Sequence, residues 1–255
     1  DYYKDMDHIV AAFRKFLGRL PENGLFLAGS DDVRVRELYL AHEGPKLSYG
    51  LRNADYIPVN IAYDAQGAAG FDLLYRGEFL GRITLHVPGA HNLMNALAAA
   101  VAALALGAPL QTVQSALADY RLTRRRFEYY GQKNGVAIYH DYAHHPSEIR
   151  AVLEAASRVA RGTLYCVLQC NSYTRAKTLF LGDMSCFARA DEVLVVDIFP
   201  GREKDDGSVH ANDMVAALAR SGVPARYLPT FEQVRDYLEE NARPGDMALT
   251  LGSGD

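Results

Sequence analysis

The stretch Val136-Ala137-Ile138-Tyr139-His140-Asp141-Tyr142-Ala143-His144-His145-Pro146 decides the fold. An apolar run ends in a polar cluster. The proline after it suits the first position of a helix, where a missing N–H costs nothing. The chain then repeats this beat. Leu164–Gln169, Glu192–Ile198, Ala225–Leu228 and Met247–Leu251 read as further strands. Helices are predicted at Pro146–Arg161, Lys177–Arg189, Val209–Ser221 and Phe231–Asn241. Strands that alternate with amphipathic helices imply a parallel sheet covered on both faces. Right-handed crossovers make it a doubly wound, Rossmann-like α/β domain. Ligands of such sheets sit beyond the carboxyl ends of the strands, which singles out His140–His145, Gln169–Arg175 and Ile198–Lys204.

The first half follows another pattern. Ile9, Phe13, Phe16, Leu17 and Leu20 recur at helical spacing, and Asp1–Asp7 reads as the lead-in to that helix. Leu25–Ala28 and Lys46–Tyr49 are predicted strands, with a helix between them capped by Ser30 or Asp31 and running through Leu40. From Tyr56 to Val87 glycines punctuate alternating segments, so Phe71–Tyr75 and Arg82–Val87 are expected to pair antiparallel. An Ala-rich helix over Asn92–Leu106 follows, then a short one over Thr112–Tyr120. Gly131–Gly135 reads as a polar turn, and the domain boundary is placed in Leu122–Gly135, giving domains 1–123 and 124–255.

Composition narrows the function classes. The chain has 255 residues and is 49% apolar, enough for two ordinary cores without staples. Its net charge of −4 offers no bulk attraction to nucleic acid or to an anionic membrane. The longest apolar run, Ala96–Leu106, is too short for membrane insertion. Cys166, Cys170 and Cys186 lack zinc-site spacing and fit buried hydrophobes in a reducing compartment. With no leader-like opening, these features predict a soluble cytoplasmic protein. The chain opens without Met and closes just after a strand, which suggests a piece of a longer protein.

The polar cluster around His140–His145 admits three chemistries: a transition metal, an anion or substrate at a helix start, or a turn with no ligand. The residues alone leave these open, and no metal ligand is assigned. Arg124-Arg125-Arg126-Phe127-Glu128 lies at the proposed junction, where guanidiniums can grip phosphate bidentately. Arg175 follows a strand end, and so shares the edge of His144. Asn92 is either the cap of the Ala-rich helix or a partner for the donor–acceptor edge of adenine. No G-x-x-x-x-G-K-[ST] sequence occurs, so a P-loop lysine is missing.

Taken together, Pro88-Gly89-Ala90-His91-Asn92-Leu93-Met94-Asn95, Arg125-Arg126-Phe127-Glu128, Asp141-Tyr142-Ala143-His144-His145-Pro146, Tyr173-Thr174-Arg175, Arg202-Glu203-Lys204 and Gly252-Ser253-Gly254-Asp255 resemble the Mur ligases over essentially the whole chain. The resemblance implies the later part of a central ATPase domain, a mixed sheet with helices, followed by a Rossmann-like C-terminal domain. It implies ATP and magnesium (Mg2+), with the main metal ligands upstream. The forms of the His-His-Pro and Arg-Arg-Phe-Glu segments imply the branch that joins L-alanine to UDP-N-acetylmuramate through an acyl phosphate. By matching positions, His91, Asn92 and Asn95 are implied on the cofactor, the asparagines at adenine. Arg125, Asp141 and Tyr142 would hold the nucleotide from the C-terminal side. Tyr142 would also line the amino-acid pocket with the catalytic pair His144 and Arg175, and Arg175 would pair the alanine carboxylate. The chain departs from the family pattern at Arg124 (commonly Gly), His140 (often Asp), Asn171 (commonly His) and Ser172 (Arg in some members). Without a P-loop it is expected not to catalyse ligation alone. Other expectations are a peptide-recycling ligase of the same family, a non-catalytic binding module, and a His-cluster metallohydrolase; the oligomeric state is left unassigned.

Overall fold

The computed structural model describes residues 3–252. Asp1 and Tyr2, the start of the predicted helix lead-in, and Ser253-Gly254-Asp255 of the closing motif lie outside the described residues. The chain divides after Arg121 into two compact units.

The first unit contains α1 (Met6–Leu17), β1 (Phe26–Gly29), α2 (Val33–Ala41), β2 (Lys46–Tyr49), β3 (Tyr56–Tyr63), β4 (Ala68–Tyr75), β5 (Glu78–Pro88), α3 (Ala90–Ala105) and α4 (Leu110–Asp119). Its sheet runs β1-β2-β3-β4-β5. The first three strands are parallel and the last three antiparallel, as befits a crossover region followed by a glycine-punctuated meander. Inward-facing Phe71, Leu73, Ile83 and Leu85 alternate with outward residues, and Leu93, Leu97 and Val101 of α3 are buried with them. Two caps differ from expectation. Helix α2 is capped by Asp32, whose carboxylate accepts the N–H of Arg34 at 2.8 Å and of Val35 at 3.1 Å; Asp31 instead accepts Leu51 N–H at 2.8 Å. Helix α3 begins behind Gly89, not at Asn92. Gly89 has φ +102°, a conformation that a side chain would strain, and it turns the chain sharply from β5 into the helix. Helix α1 buries no residue; Phe13 and Phe16 are exposed and help line an apolar cleft of about 700 Å³ against β1 and α2.

The second unit contains β6 (Glu128–Lys133), β7 (Val136–Asp141), α5 (Pro146–Val159), β8 (Leu164–Leu168), α6 (Tyr173–Leu179), β9 (Glu192–Val195), α7 (Ala211–Arg220), β10 (Ala225–Tyr227), α8 (Phe231–Asn241) and β11 (Met247–Leu251). The sheet order is β10-β9-β8-β11-β7-β6, parallel except for β6. On one face Cys166, Leu168, Val193 and Leu249 pack with Ile149 and Leu153 of α5 and Met214 and Leu218 of α7. On the other, Tyr165, Val167 and Leu194 pack with Val234 of α8. Continuous apolar strands are what a sheet buried on both faces requires.

Two sequence expectations fail here. Gly131–Gly135 is not a turn: β6 pairs with β7, and Asn134-Gly135, both at positive φ, close the hairpin. Gly131 hid the strand because it sits at a register shift, at φ +138°. The predicted helix Lys177–Arg189 is instead α6, begun earlier at Tyr173, and a separate 3-10 turn over Ser185–Phe187. Asp183 separates them by accepting the Ser185 N–H at 2.8 Å, a local bond that competes with helix. All three cysteines are free and buried. Burial pushes the Cys170 thiol up to about 12, so it is not a nucleophile near neutrality. Among the described residues no helix is long and apolar enough to cross a membrane.

Candidate functional site

The carboxyl end of β7 holds the densest arrangement. Asp141, only 5% exposed, closes the strand. One carboxylate oxygen accepts Phe127 N–H at 2.7 Å and the other accepts Ala143 N–H at 2.7 Å. Tyr142 N–H donates to the Arg125 carbonyl at 2.8 Å. The Arg125–Phe127 segment is thereby stapled onto the turn that follows β7. Arg125 and Phe127 both have left-handed backbone, φ +63° and +45°. Such strain persists only where the surroundings over-determine it, and Asp141 supplies that constraint. The Arg125 guanidinium lies 6.0 Å from the Tyr142 ring centroid. Arg125 itself is held by Tyr142 N–H and by the Glu128 carboxylate, which accepts its N–H at 2.6 Å, while Asp141 fixes Phe127 two residues on. Replacing Asp141 by Asn leaves one N–H facing an amide NH2; a hydrogen bond to a charged group contributes about 1.5–3 kcal/mol. Asp141→Asn should therefore lower the melting temperature by several degrees. An unchanged thermal midpoint would show that the staple is dispensable.

His144 follows in the same turn. Its Nδ1 lies 2.9 Å from the Tyr142 carbonyl. A carbonyl can only accept, so Nδ1 carries the proton and Nε2 holds the lone pair of the neutral ring. Glu148, one turn into α5, accepts the N–H groups of His144 at 3.1 Å and His145 at 3.3 Å. Partial burial pushes the Glu148 carboxyl up, but these N–H groups and the nearby His144 outweigh it and hold it below the usual glutamate range. His145 caps α5, its Nδ1 accepting the Ser147 N–H at 3.4 Å. Among the described residues no group of three or more His, Cys, Asp or Glu is placed to hold a metal.

Arg175 sits beyond β8, two strands from β7 across β11. It is half-buried, and among the described residues its guanidinium has no ion-pair partner. Its N–H donates to the Ser172 hydroxyl at 3.3 Å. Between the two strand ends lies Gly252 at φ +140°, where an added Cβ would come within 2.6 Å of the Gln169 carbonyl. A glycine is required there for the strand ends to close up. A cleft of about 330 Å³ opens on the α8 side of this edge, lined by Arg125, Tyr130, His140, Gln169, Phe231 and Thr250 among others. His140 belongs to it, with Nδ1 2.8 Å from the Thr250 hydroxyl.

The remaining candidates belong to the first unit. Asn92 is buried in the first turn of α3, and its amide donates to the Pro88 carbonyl at 2.7 Å. Asn95, a turn later, is exposed, with Nδ2 3.5 Å from Asn92 Oδ1. His91 is half-buried beside them. In the second unit the contacts join Arg125, Asp141, Tyr142 and His144; those of Arg175 are with the turn after β8. Sequence reasoning missed Glu148, although a glutamate three residues after a capping position is a recognisable signal.

Residues 125–254 match the family described as Mur ligase, glutamate ligase domain, and residues 1–103 match the Mur ligase middle domain. A UDP-N-acetylmuramate–L-alanine ligase of Pelotomaculum thermopropionicum is 45% identical over 100% of this chain and 56% of its own length. The chain thus spans about half the length of the curated relatives it matches. Among solved structures, the UDP-N-acetylmuramate-alanine ligase of Thermotoga maritima has a TM-score of 0.74 at 23% identity, over 99% of this chain and 53% of that one. The MurF ligase of Thermotoga maritima, in complex with ADP, has a TM-score of 0.70 at 16% identity, over 99% of this chain and 55% of that one. The two family matches, one to each half of the chain, show that the chain belongs to the Mur ligases.

Proposed function

We propose that this chain is the later part of the central domain and the C-terminal domain of an ATP-dependent ligase that joins L-alanine to UDP-N-acetylmuramate in peptidoglycan synthesis in the cytoplasm. The observation that carries the reading is 45% identity along the full chain to a ligase named for that reaction. In the proposed reaction the sugar carboxylate takes the γ-phosphoryl group of ATP and ADP leaves. The amine of L-alanine then attacks the acyl carbon and loses a proton, and phosphate departs. Positioning and charge stabilisation supply most of the rate in such transfers.

The chain's residues fit parts of this task. The exposed Asn95 amide and the Asn92 oxygen suit the donor–acceptor edge of adenine, with His91 alongside. Within the second unit, Arg125 beside the Tyr142 ring suits an anionic group such as a phosphate, with Glu128 accepting the Arg125 N–H. Arg175, half-buried and without a carboxylate partner among the described residues, suits the substrate carboxylate. His144, its Nδ1 against the Tyr142 carbonyl, keeps a lone pair at Nε2. Among the described residues no group of three or more His, Cys, Asp or Glu is placed to hold magnesium.

The discriminating test is an assay of the complete enzyme with L-alanine against the murein tripeptide as amine. Preference for L-alanine in phosphate release supports the reading; preference for the tripeptide moves the protein to the recycling branch.

A further inference from the structure

We propose that Glu203, on the loop after β9, is a positioning residue for amino-acid binding: its carboxylate caps the start of α6 and so aims Arg175 at the substrate. The proposal rests on the reading that Arg175 pairs with the substrate carboxylate.

Helix α6 has seven residues, fewer than the dozen or so an isolated helix needs to hold itself. Ala176 is its only buried residue. The helix must therefore be held from outside, and most of the described ties come from the loop after β9. Ser172 N–H donates to the Phe199 carbonyl at 2.8 Å and Phe199 N–H to the Cys170 carbonyl at 2.9 Å, so the two post-strand segments run on side by side. Glu203 then accepts Thr174 N–H at 2.9 Å, across 29 residues of sequence. Further along, Lys177 pairs with Asp206 at 3.0 Å.

Glu203 is the tie nearest Arg175. The Thr174 N–H holds its carboxyl below the usual glutamate range, against a smaller effect of burial, and the Thr174 and Ser172 hydroxyls and Tyr173 N–H add to this. A carboxylate at a helix start also meets the positive end of the peptide dipoles. With Glu203 spent on backbone donors, Arg175 keeps its charge for a ligand. Ser172 completes the arrangement at φ +78°, its hydroxyl accepting Arg175 N–H. An arginine displaced by a fraction of an ångström loses the paired geometry that a carboxylate rewards.

The test is steady-state kinetics of the complete enzyme. Glu203→Ala is expected to raise the KM for L-alanine about tenfold, leaving kcat at saturating L-alanine and the KM for ATP within about twofold. Glu203→Gln, which keeps an acceptor oxygen for Thr174 N–H, should stay within about threefold of wild type. The double variant Glu203→Ala with Arg175→Ala should bind L-alanine no worse than Arg175→Ala alone, because both act through one guanidinium. Additive effects, a fall in kcat alone, or an unchanged KM in Glu203→Ala would overturn the positioning role. If Glu203→Ala does not fold, Glu203→Asp takes its place, with the same split between KM and kcat required. An Arg175→Ala variant with unaltered L-alanine dependence would instead remove the underlying assignment of Arg175, and that result is read from the single variant alone.

Discussion

Arg175→Ala in the complete enzyme should raise the KM for L-alanine by about 30- to 1000-fold, with the KM for ATP nearly unchanged. The guanidinium is half-buried at the carboxyl edge of a parallel sheet and, among the described residues, has no carboxylate to pair with. A cation held so would suit an anionic ligand. Losing a bidentate charged contact to a small substrate costs about 2–4 kcal/mol, and each 1.4 kcal/mol is about tenfold in affinity. L-alanine is small, so its carboxylate supplies a large share of what any site can grip. Arg175→Lys keeps the charge without the planar fork and should fall between wild type and Ala. Kinetics at varied L-alanine and fixed, saturating ATP and UDP-N-acetylmuramate would check this. An L-alanine dependence unchanged in Arg175→Ala would remove the residue from the amino-acid site.

Arg175 and His144 could be singled out from sequence because the rule that located them is topological: parallel strands imply a carboxyl edge, and residues just past each strand lie on it. The alternating apolar runs that announced the sheet are buried on both faces, as in Tyr165, Cys166, Val167 and Leu168 along β8. What stayed hidden depended on contacts distant in sequence or on backbone shape. Strand β6 was read as a turn because Gly131 marks a bulge, and a glycine in a bulge looks the same in sequence as one in a loop. Asn92 was a reasonable cap by residue type, but Gly89 can adopt a φ that Asn tolerates poorly, and it starts the helix earlier. The resemblance assigns Asp141 to the nucleotide; that one of its oxygens is taken by Phe127 N–H depends on β6 folding back beside β7, while the Ala143 bond to the other is local. The grip of Glu203 on Thr174 has no local signature at all, since the two are joined only when β8 and β9 lie parallel.

The chain by itself should release no phosphate above background when given ATP, magnesium, UDP-N-acetylmuramate and L-alanine. Ligation requires the γ-phosphate and the sugar carboxylate to be held within reacting distance, and then the acyl phosphate and the amine. Holding reactants in that way contributes about 7–11 kcal/mol to such a step. That contribution depends on every reactant being anchored. On the proposed assignment Asn92 and Asn95 would meet adenine, Arg125 the nucleotide and Arg175 the amino acid. The sequence contains no P-loop lysine for the phosphates, and its described residues offer no cluster for a metal. A nucleotide held without a P-loop lysine leaves the γ-phosphoryl group to swing freely, so the loss is in the chemical step and not merely in affinity. Adenine-nucleotide binding should survive weakly, because base contacts do not need the phosphate cradle, and calorimetric titration with ADP would detect it. Turnover by the purified chain that depends on both UDP-N-acetylmuramate and L-alanine would show that the phosphates are held by residues other than a P-loop, and would overturn this division of labour.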